Sequence, residues 1–147
     1  HHTSHITHHT HHPTSLTQDT IISSRISARV LEVAGGLDDG RTLRSYAFCT
    51  PNRSGSVTLL LLNTLDTNAT VDLDLPGERE IYLLTSSPNL PTSRDVLLNG
   101  VVLRVDPSTG ALPALNPHIV TQESIITLPP VSYAFVVLPS AQAPACK

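Results

Sequence analysis

The sequence predicts an all-β fold: an antiparallel β-sandwich of about eight short strands, preceded by a disordered His/Thr-rich N-terminal tail. Three observations carry that expectation. The run VTLLLLN at 57–63 is unbroken, apolar and of strand length, bounded by Gly55-Ser56 and by Asp66 and Asn68, with no 3.6-residue period continuing past it. Turn signals recur at roughly ten-residue spacing along the chain. Twelve prolines against seven glycines, with 3% aromatic residues, suit many short elements joined by stiff connectors rather than a long helical bundle.

The elements follow in chain order. Ile26, Ala28, Val30, Leu31 and Val33 form an apolar segment that stops at Gly35-Gly36, which predicts a strand over 28–34. The acidic turn Leu37-Asp38-Asp39-Gly40 then reverses the chain, since both Asp and Gly tolerate positive φ. Residues 42–49 alternate Leu43, Ser45, Ala47 and Cys49 on one side with Thr42, Arg44, Tyr46 and Phe48 on the other, a second strand paired back on the first. After the loop at 50–55 comes the run at 57–63, the central strand, buried on both faces.

Beyond it, Val71, Leu73 and Leu75 face one way and Asp72 and Asp74 the other, the alternation of a half-exposed antiparallel strand over 69–75. Pro76-Gly77 turns the chain into a strand at 80–84. Pro88 and Pro91 keep 85–94 out of any ladder. Strands at 95–98 and 101–105 flank Asn99-Gly100, the best two-residue hairpin turn in the sequence. A proline-rich crossing covers 106–117, and strands at 125–128 and 131–138, separated by Pro129-Pro130, complete the set.

Composition narrows the function classes. The 147 residues have room for one domain, at 28–147, behind the tail at 1–25. A formal charge of -3 with 14% charged residues gives no footprint for nucleic acid or an anionic membrane. No segment approaches the roughly 20 apolar residues of a membrane helix. Residues 1–27 lack the hydrophobic core of a secretory signal, so secretion would require a longer precursor. Residues 1–20 hold seven of the eight histidines. Neighbouring imidazoles can chelate zinc, copper or nickel, but no cysteine or carboxylate pattern completes a site, and a biased extension is the favoured reading. No metal site is assigned.

Catalytic constellations are equally sparse. A nucleophilic site needs Ser or Cys with a positioned His. Outside the tail the one histidine is His118, in the proline-rich crossing. Glycoside hydrolysis needs two carboxyl groups about 5 to 10 Å apart, and Glu32, Glu78, Glu80, Glu123 and the aspartates all fall in turns or on polar strand sides. Asn52-Arg53-Ser54 and Asn68-Ala69-Thr70 are N-glycosylation sequons in loops. Two cysteines, Cys49 and Cys146, fit either one disulfide or two thiols on count alone. A bridge would tie the C-terminus to the sheet. Phe48, Tyr133 and Phe135 lie in apolar strands, where a core role is expected rather than a sugar-stacking platform.

The ordered motifs LRSYAFC (43–49), GSVTLLLLN (55–63), YLLT (82–85), VLLNG (96–100) and GALPAL (110–115), with the endings LPPVSYAFVVL (128–138) and APAC (143–146), resemble the C-terminal region of heparanases and plant heparanase-like proteins of glycoside hydrolase family 79. The resemblance covers about residues 28–147. It implies a β-sandwich appended to a TIM barrel, with Cys49 bonded to Cys146. It also implies a secreted, glycosylated, retaining hydrolase of glucuronides or glucuronic-acid-containing glycans, located outside the cell, in the wall, at a membrane or in a vacuole. Both catalytic glutamates of such enzymes lie in the barrel, which this sequence lacks, so no catalytic residue carries over and no cofactor is called for. The His-rich start departs from the family pattern. The expectation is an accessory sandwich, inactive by itself, whose partner is the barrel. The alternatives are an independent carbohydrate-binding module and a truncated product without function.

Overall fold

Ten strands and one short 3-10 turn are present among the described residues of the structure, a computed structural model that describes residues 29–32, 42–73, 75, 77–86, 92–121 and 125–147. In chain order they are β1 (Val30–Leu31), β2 (Leu43–Cys49), β3 (Val57–Asn63), β4 (Ala69–Asp72), β5 (Arg79–Ser86), β6 (Val96–Leu98), β7 (Val101–Val102), β8 (His118–Val120), β9 (Ile125–Leu128) and β10 (Ser132–Leu138), followed by the turn Pro144–Cys146. The tail at 1–25 and the Asp38-Asp39-Gly40 turn lie outside the described residues.

The fold is all-β and antiparallel, with one eight-stranded and one two-stranded sheet. The large sheet runs β1-β2-β3-β10-β5-β6-β7, and β8 also pairs with β5. The apolar run at 57–63 sits where the sequence puts it: β3 is flanked by β2 and β10 along its whole length, with Asn63 opposite both Leu43 and Ser132 and Val57 opposite both Cys49 and Leu138. Thr58, Leu59 and Leu61 are buried, so both faces of this strand are covered in part.

Period-2 alternation divides the large sheet into two faces. On one, Ala47, Leu59, Leu61, Ala134 and Val136 pack against Val71, Leu73, Ile126 and Leu128, and this layer between the large sheet and the β4–β9 pair is the main core. Each fully buried Leu or Val there contributes about 1.5–3 kcal/mol. On the other face, Tyr82, Leu84, Leu98, Phe135 and Val137 form a second cluster roofed by Leu103 and Leu115 of the irregular crossing. That crossing is stiffened by an Asx turn in which Asp106 accepts from the Ser108 amide at 2.8 Å and hydroxyl at 2.6 Å. The Ser108 hydroxyl bond above all holds the Asp106 carboxyl below its ordinary value.

Two asparagines fix the register. Asn63 is buried, its amide nitrogen lying within 2.8 Å of the Thr67 and Pro129 carbonyls and 3.2 Å of that of Leu128, while its oxygen accepts from the Leu65 amide. Asn99 closes a gap on the outer edge of β5, between the residues paired with β6 and those paired with β8. Its side chain accepts from the Leu83 amide at 2.9 Å and donates to the Ile81 carbonyl at 3.0 Å, standing in for a strand backbone. Positive φ at Asn99 (49°) and Gly100 (82°) is what a type I′ hairpin requires.

Several boundaries differ from expectation. β5 runs on to Ser86, because Thr85 and Ser86 find partners in β6. β7 ends at Val102, where the chain leaves the ladder to roof the second cluster with Leu103. His118 belongs to a strand rather than the crossing, since Pro117 precedes the paired residues and removes none of their donors.

Candidate functional site

Residues near the C-terminal end of β2 build a cross-linked corner. Cys49, the last residue of β2, and Cys146 form a disulfide with Cα atoms 5.3 Å apart. The loop between β2 and β3 is pinned to the same tail by main-chain bonds from the Gly55 amide to the Cys146 carbonyl (2.8 Å) and from the Ala143 amide to the Gly55 carbonyl (2.9 Å). Gly55 has φ 74°, and a Cβ there would meet the Gln142 backbone at 3.3 Å. Beneath the loop, the buried Ser56 hydroxyl donates to that of Thr50 at 2.9 Å, and Thr50 lies 3.0 Å from the Thr58 hydroxyl.

From this loop Arg53 reaches across to β5 and donates to Glu80 at 2.5 Å. The Glu80 carboxylate is buried, and its other oxygen accepts from the Tyr82 hydroxyl at 3.3 Å. The hydrogen bond to Glu80 raises the Arg53 guanidinium above its ordinary value, against the opposing effect of burial. Glu80 is thus engaged by a cation and a phenol, and its place is that of a clamp between loop and sheet rather than a free acid or base.

The sequons sit on exposed turns, Asn52 with φ 58° in the corner loop and Asn68 just before β4. His118 is exposed on β8. Among the described residues no three His, Cys, Asp or Glu side chains are grouped to hold a metal ion, and no helix is long and apolar enough to cross a membrane.

The largest departure from the sequence reading concerns the aromatics. Tyr133, expected in the core, is 40% exposed, and Tyr46 is 45% exposed. Both stand on the face of the large sheet opposite the β4–β9 pair, in the cross-strand rows Arg44–Leu62–Tyr133 and Tyr46–Leu60–Phe135. The β5 side of this face is roofed by Leu103 and Leu115, whereas Arg44 and Tyr46 are open to solvent and Leu60 and Leu62 are half-buried. The signal was present in 42–49: Tyr46 shares its side of β2 with Arg44, a residue that does not go into a core unpaired. Tyr133 packs edge-on against Phe135, ring centroids 6.2 Å apart, and burial raises its phenol above the ordinary value.

Comparison with known proteins gives this fold its relatives. No protein-family model matches the chain. It is 36% identical over 133 aligned residues to a heparanase of Gallus gallus, covering 82% of this chain and 25% of that protein. It is 39% identical over 99 residues to the baicalin-β-D-glucuronidase of Scutellaria baicalensis, covering 64% and 18%. It is 30% identical over 139 residues to heparanase-like protein 1 of Arabidopsis thaliana, covering 71% and 25%. The chain therefore spans a quarter or less of the length of these relatives. With the all-β antiparallel architecture, similarity at 30 to 39% identity over 64 to 82% of this chain is consistent with the C-terminal region of glycoside hydrolase family 79, the family of heparanases and heparanase-like β-glucuronidases.

Proposed function

We propose that the chain is the accessory sandwich of a heparanase-like β-glucuronidase, without glycosidase activity by itself, and that it braces a catalytic TIM barrel. The observation that carries this reading is the open sheet face around Arg44, Tyr46, Leu60 and Leu62. A sheet face bearing an exposed ring and half-buried leucines is a surface built to be covered, and interfaces between domains of one enzyme are of this mixed apolar and polar kind. The span of the alignments supports it, because the chain accounts for only 18 to 25% of proteins named as glucuronidases and heparanases. The engagement of Glu80 by Arg53 supports it too, since retaining hydrolysis needs a pair of carboxyl groups about 5 Å apart and this carboxylate is already committed.

In the same reading the parent enzyme cleaves glucuronides or glucuronic-acid-containing glycans and is secreted, with sugars attached at Asn52 and Asn68. The exposed turns that carry both sequons, and a cysteine pair joined in a bridge, suit an oxidising compartment. The test is association: the chain is mixed with the barrel region of a heparanase-like enzyme and followed by gel filtration and melting temperature. The expected result is a one-to-one complex that Tyr46→Asp disrupts. Absence of a complex, or a complex indifferent to Tyr46→Asp, contradicts the reading.

A further inference from the structure

We propose that the groove beside Tyr133 is a binding subsite for a neutral sugar ring. The groove, about 390 Å³, opens where β3 and β5 end and β6 and β10 begin, a size within the range of small-ligand sites. Its wall is the half-exposed ring of Tyr133, set edge-on by Phe135. Thr64, Ser86, Ser93 and Asp95 line the same groove, the Thr64 hydroxyl donating to the Thr42 carbonyl at 2.9 Å and keeping its acceptor capacity. The Ser93 hydroxyl accepts from the Asp95 amide at 3.1 Å, which fixes the acidic residue at the rim. This pairing of one aromatic plane with several hydrogen-bonding groups matches a pyranose, whose C–H face lies on a ring while its edge offers hydroxyls.

Charge selects among sugars. Among the described residues the lining contains one carboxylate and no Lys, Arg or His. A carboxylate accepts two hydroxyl donors from adjacent carbons of a neutral ring, but it repels the carboxylate of a uronate. The groove therefore takes the neutral residues of a mixed glycan and not the glucuronate itself. A backbone feature at the same rim points the same way: Val131, which also lines the groove, has φ 48°, a conformation that a β-branched residue keeps only where its surroundings impose it, and one that accompanies ligand sites. The groove borders the open face and shares Leu62 with it, whereas Tyr46, at the centre of that face, does not line it.

The experiment is an amide-resolved NMR titration of the 147-residue chain with cellobiose and xylobiose as neutral probes and glucuronic acid as the anionic one. At least one neutral disaccharide is expected to shift the amides of Tyr133, Asp95 and Val96, and glucuronic acid to bind about tenfold more weakly. Tyr133→Ala is expected to weaken the neutral sugar about tenfold, and Tyr133→Phe to restore it. Asp95→Asn, at an exposed position that leaves folding intact, is expected to narrow the preference over glucuronic acid. The proposal is overturned if neither disaccharide perturbs these amides at tens of millimolar, if glucuronic acid binds as well as they do, or if Asp95→Asn leaves the preference unchanged.

Discussion

Cys49 and Cys146 are covalently joined although 97 residues separate them, so the bridge closes a loop that contains almost every strand of the domain. Its effect falls on the unfolded chain, whose freedom it removes. Cys49→Ser is expected to lower stability by several kcal/mol, with roughly 4–5 kcal/mol as the upper figure from loop closure. Chemical denaturation under oxidising conditions measures this, and an unchanged midpoint would contradict it.

Asn99 replaces missing backbone on the edge of β5. Because its φ is positive, Asn99→Gly keeps the turn and removes only the side-chain bonds. The loss of partners for the Leu83 amide and the Ile81 carbonyl is expected to cost about 2 kcal/mol. Amide exchange at Leu83 should speed up in the same variant.

Val131 is held in the left-handed region by the bond from its amide to the Leu65 carbonyl and by the turn that Asn63 organises. Glycine takes that conformation without the Cβ clash. Val131→Gly is expected to raise the melting temperature, with a gain of roughly 1 kcal/mol after the entropy of the added glycine is subtracted.

Tyr133 gives the domain an alkaline signature. Burial raises its phenol above the ordinary value of 10.0, so above that pH the unfolded chain gives up a proton that the folded one keeps. Stability then falls as pH rises from 10 toward the folded-state value. Tyr133→Phe should flatten that limb of a stability-against-pH curve while leaving the neutral region in place.

Much of this architecture is legible in the chain. The central strand, the Asn99-Gly100 hairpin and the alternation in 42–49 rest on local patterns, and local patterns are what a sequence displays. What the chain hides is non-local. Nothing near Glu80 announces Arg53, 27 residues earlier, as its partner. The exposure of Tyr133 depends on which half of a sheet face the crossing roofs, and that is decided by Leu103 and Leu115. The short strand at His118 forms because β5 has a free edge at Arg79 to Ile81, a fact about β5 rather than about His118. The pairing of Cys49 with Cys146 follows from family resemblance, since two cysteines by themselves leave it open.

The central claim is that this sandwich supports glucuronide cleavage without performing it, and a glucuronidase assay tests it most directly. The purified 147-residue chain is assayed on a chromogenic β-glucuronide and on heparan sulfate, alone and after mixing with a heparanase-like barrel. The account predicts no turnover by the chain alone and a gain in activity or stability of the barrel on mixing. Turnover by the chain alone would contradict it and send the search for a catalytic pair back to the carboxylates of the sandwich.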